Sequence, residues 1–207
     1  MEEEFFEKTK PEYSTGRKVW LEFKDILAGV AFPFIITLVL SSTIIAFASY
    51  KADMAISIIA LVGGEAMYIA AMVIFGRANG SAAYKKLILH NQKRELNSKE
   101  ETVLYRTGEY AIWKAVVIPL IVCIPFVIFQ TIELCYDNNA CNFCLQYICA
   151  WAYYPFSYLG KDFQALNYIC IIIPVAAHVA GYLLGKRKQI KIQEQMAAAA
   201  QKKGRRK

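Results

Sequence analysis

The chain has 207 residues, of which 57% are hydrophobic and 20% are charged, and its formal net charge is +7. Its apolar residues occur in long unbroken runs rather than in short alternating patterns, which excludes an ordinary soluble domain and indicates membrane spans. The positive charge lies between and after these runs, so it does not indicate nucleic-acid binding.

Four segments are long and apolar enough to cross a membrane. A helix rises about 1.5 Å per residue, so about 20 residues cover the hydrocarbon core. The predicted spans are residues 26–50, 54–76, 115–134 and 163–185. They predict an all-α integral membrane protein: a bundle of four transmembrane helices that forms a single membrane domain.

Lysine and arginine are distributed unevenly among the links. Residues 1–25 hold five of them, residues 77–114 hold eight and residues 186–207 hold nine, whereas the other two links hold only Lys51 and Lys161. Cytoplasmic loops carry such an excess. We therefore expect a multi-pass protein of the plasma membrane with both termini in the cytoplasm, and residues 135–162 on the outer side.

The basic segments suggest contacts beyond the bilayer itself. "SAAYKKLILHNQKREL" in the link and "KRKQIKIQEQMAAAAQKKGRRK" in the tail are expected to lie on anionic lipid headgroups. The alternative is that they dock a protein partner, in the membrane or in the cytoplasm. A nucleic-acid partner is not expected, because the orientation rule already accounts for the charge.

The outer link contains four cysteines within fifteen residues: Cys135, Cys141, Cys144 and Cys149. Outside the cytoplasm two structural disulfides are the favoured interpretation, with three possible pairings. Three alternatives remain open: thiol-disulfide exchange by Cys141-Asn-Phe-Cys144, a zinc site, or free thiols. Cys123 and Cys170 lie inside spans, where cysteine usually packs as a small apolar residue.

Two layouts of known families bear on this link. Four spans with outer cysteine pairs are similar to the quinone-linked disulfide-generating membrane proteins of bacteria, although those divide the pairs between two outer loops and here the first is only "KAD". Tetraspanins have a similar layout, but their Cys-Cys-Gly signature is missing. Within the link, residues 145–159 are aromatic and too short to span, which predicts an interfacial or re-entrant segment.

Glu65 lies at the midpoint of the second span, where an ionised carboxylate is unfavourable by several kcal/mol unless it is paired. One interpretation is functional: the acid carries a proton or binds a cationic group. The other is structural: a protonated acid hydrogen-bonded to Ser41, Ser42 or Thr43 of the first span. We favour the functional interpretation.

His178 is the second candidate inside the spans, because it can titrate near neutral pH or bind a metal. Ala177, Gly181 and Gly185 repeat at intervals of four residues beside it, which is typical of a close helix contact. An interhelical hydrogen bond is therefore its expected role.

Taken as a whole, the sequence favours a small transporter, or the membrane subunit of a transport or signalling assembly, that is not an enzyme. The alternatives are a membrane thiol oxidoreductase and a structural or immunity-type membrane partner. No catalytic triad, metal motif or cofactor-binding motif is present, so no cofactor is expected.

The charge distribution makes the orientation testable with reporter fusions. Alkaline phosphatase, which is active only outside the cytoplasm, should be active when fused after Asn138 and inactive when fused after Asn97. The opposite pattern in whole cells would reverse the predicted orientation and place the cysteines in the cytoplasm.

Overall fold

The computed structural model describes residues 15–48, 54–96, 110–136, 139–157 and 161–204, and the features predicted at 1–14, 51–53 and 97–109 lie outside them. The described residues contain helices and no strand. These are α1 (Thr15–Ala48), α2 (Met54–Leu96), α3 (Ile112–Tyr136), α4 (Asn139–Ile148), α5 (Ala150–Ser157), a 3₁₀ helix η1 (Lys161–Ile171) and α6 (Ile172–Gly204).

Four stretches of helix are long and apolar enough to cross a membrane: Val19–Ile44, Leu61–Leu89, Ile112–Tyr136 and Ala165–Ala199. Many of their large apolar side chains face outward, among them Phe32, Ile74 and Ile172. An apolar exterior suits contact with lipid tails, which need no polar surface. The prediction of an all-helical protein with four candidate spans is therefore confirmed.

The spanning helices alternate in direction. α1 and α2 are antiparallel, because Gly29 lies beside Asn79 and Ile44 lies beside Gly64. The contacts of the remaining helices show that α3 runs parallel to α1 and that α6 runs parallel to α2. We call the end with the first residues of α1 and α3 the basic end, and the opposite end, with α4 and α5, the cysteine end.

The most extensive contact in the bundle joins α2 to α6. It contains four glycines in two small-xxx-small pairs, Gly76 with Gly80 and Gly181 with Gly185. A Cβ atom at any of them would lie 2.1–2.3 Å from a backbone oxygen of the facing helix. Such pairs allow two backbones to approach each other directly, which van der Waals packing in a membrane favours.

At the cysteine end, the link after α3 folds back into the bundle. Leu145 and the residues from Cys149 to Ala152 are almost completely buried. Trp151 stacks on Tyr68 of α2 with 4.9 Å between ring centroids and packs against Phe126 of α3 at 5.7 Å. These side chains form the main hydrophobic core, together with residues of α1, α2, α3 and η1.

The fourth span changes its helix type partway along. Its part at the cysteine end is η1, which runs for eleven residues, although 3₁₀ segments longer than three or four residues are uncommon. Pro174 is the third residue of α6, and it has no N–H to donate to the carbonyls of Cys170 and Ile171 in η1. The fourth span therefore changes from 3₁₀ to α geometry beside a proline while remaining helical throughout.

The glycine contact predicts a sharp difference between two conservative substitutions. Gly181→Ala should destabilise the protein by about 1–3 kcal/mol or more, because backbone atoms must move to admit the methyl group. Gly63→Ala on α2 has no atom within 4 Å of its new Cβ and should be neutral or stabilising by up to about 1 kcal/mol. Thermal unfolding in detergent measures both, and equal effects would contradict the packing.

Candidate functional site

Two prolines free two backbone carbonyls near the basic end. A proline has no N–H to donate to the carbonyl four residues earlier, so Pro33 leaves the carbonyl of Gly29 free and Pro119 leaves that of Ala115 free. In the membrane such carbonyls need donors from neighbouring helices. The bundle supplies one for each.

His178 of α6 donates to the carbonyl freed by Pro119, since its Nδ1 lies 2.8 Å from the oxygen of Ala115. A carbonyl only accepts, so Nδ1 carries the proton and Nε2 is an acceptor. Nδ2 of Asn79 on α2 donates to His178 Nε2 at 3.3 Å. The same nitrogen also donates to the oxygen of Gly29, likewise at 3.3 Å. We call this group of four residues the polar junction; it joins all four spanning helices.

A pocket of about 180 Å³ opens beside the polar junction. Asn79 and Gly29 of the polar junction line it, and so do the small side chains of Ala28, Ala82 and Ala83 on α1 and α2. The residues lining the pocket come from α1, α2, α3 and α6: Asp25, Ala28, Gly29, Asn79, Ala82, Ala83, Lys86, Lys114, Ile118 and Tyr182.

Paired charges surround the pocket. Lys114 lies with its side chain only 5% exposed, and its Nζ is 2.6 Å from Glu22 Oε2 and 3.5 Å from Asp25 Oδ2. The other oxygen of Asp25 is 2.5 Å from the Nζ of Lys86, which is half exposed. Two lysines thus face two carboxylates, and a buried ammonium of this kind is tolerated because it is paired.

Aromatic rings pack on the side of the pocket that α6 forms. The Tyr182 hydroxyl accepts from the N–H of Ala111 at 3.4 Å, which satisfies one of the free donors before the first turn of α3. Its ring stacks on Tyr110 at 4.9 Å, and the Nζ of Lys186 lies over Tyr110 at 5.1 Å. This wall is therefore held by packing and not by charge pairs.

Glu65 lies on α2, half-buried, and its Oε1 atom is buried without a hydrogen-bond partner. The hydroxyls named in the structural hypothesis do not reach it. Ser42 and Thr43 donate to carbonyls of their own helix, at 2.9 Å each, and the Ser41 hydroxyl has no partner.

Glu65 and His178 do not meet. Asn79, which contacts His178, is fourteen residues further along α2 than Glu65, a rise of about 21 Å. The structure thus brings His178 into the polar junction and leaves Glu65 near the other end of the bundle.

None of the six cysteines, all of which the structure describes, forms a disulfide, so the predicted disulfides are not supported. Cys141 and Cys144 are half-buried on α4, Cys135 is exposed and Cys149 is buried. Burial raises the pKa of the Cys149 thiol to about 12, with a further contribution from the nearby Cys123 and Cys144. The thiolate is the reactive form, so Cys149 is poorly suited to disulfide exchange near neutral pH. The residues that the structure describes hold no cluster of three or more His, Cys, Asp or Glu side chains suited to a metal ion.

Sequence reasoning missed most of the residues around the pocket. Asp25 and Lys114 counted only as charges flanking spans, and Asn79 fell in a link rather than in a helix. One signal was present in the sequence. Pro33 and Pro119 each leave a carbonyl of their own helix without its helical donor, and a polar side chain inside a span is the expected replacement.

Comparison of the chain with known protein families, with curated proteins and with solved structures finds no match.

The polar junction makes a testable prediction about coupled hydrogen bonds. His178→Leu and Asn79→Leu should each be destabilising, since interhelical hydrogen bonds in membranes contribute about 0.6 kcal/mol on average and up to about 1.7. The double variant should lose less stability than the two single variants lose together, because the two side chains share a hydrogen bond. Equilibrium unfolding in detergent measures the stability of the unmodified protein, the two single variants and the double variant.

A rescue experiment separates hydrogen bonding from general packing loss. Pro119→Ala restores an N–H that can bind the Ala115 carbonyl, so it should recover stability in the His178→Leu background. Ser42→Ala, which removes an exposed bond within α1, serves as the control and should change little. Strict additivity together with no rescue would contradict the junction.

Proposed function

We propose that the protein is a small membrane transporter, or the membrane subunit of a transport assembly, and that the pocket beside the polar junction binds its solute. The observation that carries the proposal is that pocket: a concave space between four helices, with convergent polar groups on an otherwise apolar wall. Spaces of this kind between helices of a bundle are usual ligand sites.

The size and charge of the pocket suggest the class of solute. A volume of about 180 Å³ is below the roughly 300 Å³ at which drug-sized sites begin. Both signs of charge line it, with Lys86 and Lys114 opposite Asp25. A simple anion would compete with Asp25, whereas a small zwitterion offers an ammonium to Asp25 and a carboxylate to the lysines. The proposed solute is therefore a small zwitterion of amino-acid type.

The position of the polar junction suggests how binding affects the bundle. Asn79 lines the pocket and also holds the carbonyl of Gly29 and the ring of His178. A solute that takes a hydrogen bond from Asn79 competes with these contacts and loosens the tie between α1, α2 and α6. With the basic end in the cytoplasm, as the lysine and arginine distribution predicts, the pocket takes solute from that side.

Glu65 is a second polar position in this proposal. Its buried oxygen without a partner, in the half of the bundle beyond the pocket, suits a proton or a cationic group during passage. The glycines and prolines within the spans are features that transporters share, and they support the proposal only as context.

Uptake into proteoliposomes tests the proposal. Radiolabelled glycine, serine, glutamine and glycine betaine form the zwitterion panel, with acetate and methylamine as singly charged controls. We expect saturable uptake of at least one zwitterion. Ala82→Leu, which fills the pocket without changing a charge, should lower that uptake at least about tenfold, equivalent to a loss of about 1.4 kcal/mol of binding.

The matched control is Ala70→Leu, an equally exposed alanine of α2 that does not line the pocket, and its uptake should stay at the wild-type level. Equal loss in both variants would contradict the pocket as the solute site. Uptake of no panel member would contradict zwitterion transport. Turnover of a thiol substrate through Cys141 and Cys144 would then support the oxidoreductase alternative.

A further inference from the structure

The buried face of α3 becomes polar toward the cysteine end. Phe126 packs in the main core, and the positions four and seven residues further along the same face are Gln130 and Glu133. Gln130 is 0% exposed and Glu133 is 5% exposed. Glutamate and glutamine are rarely buried so completely unless their polar atoms have partners.

The facing segment of η1 supplies a third polar residue. Asn167 is 0% exposed, and its Nδ2 donates to Gln130 Oε1 at 3.3 Å. The contact between the two helices is fixed beside it, because the hydroxyls of Thr131 and Tyr168 are 2.7 Å apart. Glu133 lies one turn beyond Gln130, and side chains three residues apart on a helix have Cβ atoms about 5–6 Å from each other.

The atoms without partners in this cluster are all oxygens. Glu133 Oε2 and Asn167 Oδ1 are buried and have no hydrogen-bond partner. Gln130 Oε1 accepts a hydrogen bond from Asn167 Nδ2. The cluster therefore presents acceptors and calls for a donor or a positive charge.

We infer that Gln130, Glu133 and Asn167 form a binding site for one sodium ion between α3 and η1. Oxygen atoms from one carboxylate and two amides are hard ligands, which suit a hard cation. The single carboxylate balances one positive charge, so a monovalent ion is matched and a divalent ion is not.

Binding of ²²Na⁺ to the purified full-length protein in nanodiscs tests the site directly and requires no transport. We expect saturable binding of one ion per chain, with an unfolding midpoint that rises in NaCl relative to choline chloride at equal ionic strength. Glu133→Gln should fold, because it is nearly isosteric. It should lower sodium affinity by at least about tenfold, the smallest usual effect of altering a metal site, and remove the dependence of the midpoint on sodium.

Asn167→Leu should act in the same direction, and Thr131→Val is the matched control. That control removes a hydrogen bond between the same two helices at the same level, so it should lower stability a little and leave sodium affinity unchanged. Sodium binding that survives Glu133→Gln would overturn the site, and so would equal loss in Thr131→Val. An unfolding midpoint that does not depend on sodium in the unmodified protein would also overturn it.

Discussion

Inside a lipid bilayer a backbone carbonyl has no water to bind, and near the basic end two prolines deprive this bundle of two helical donors. Asn79 and His178 supply both replacements, and they also bind each other. This small network fixes the relative depth of all four spanning helices. It depends in turn on the glycine contact of α2 with α6, because only helices in backbone contact bring a short asparagine and a histidine within hydrogen-bond reach.

The arrangement of charge at the basic end follows from the same register. Asp25 lies one helical turn before Gly29, and Lys114 directly precedes Ala115. The relative depth of the helices that brings the two free carbonyls to the polar junction therefore also places the Asp25 carboxylate beside the Lys114 ammonium. Lys86 lies two turns beyond Asn79 and completes the charge pairs. The pocket is the space that remains between these pairs and the polar junction.

The two ends of the bundle carry different chemistry. At the basic end the charges are paired around an open space, which suits reversible binding of a small polar solute. At the cysteine end α4 and α5 fill the interior with aromatic rings, and the polar atoms buried there include oxygens without partners. The proposed solute pocket and the proposed sodium site therefore occupy opposite ends of the bundle. Each of them can be tested without the other.

Sequence alone determined the class of this protein, because the length of an apolar run and the thickness of a bilayer are both local quantities. It also identified Glu65 and His178 as unusual, since a polar side chain in a span is conspicuous without any partner. The partners themselves needed tertiary structure. Asn79 is ninety-nine residues from His178, and Asp25 is eighty-nine from Lys114, so their pairing depends on how the helices are placed side by side. The same holds for Gln130 and Asn167, because hydrogen bonding between helices is set by relative depth and rotation, which no single segment encodes.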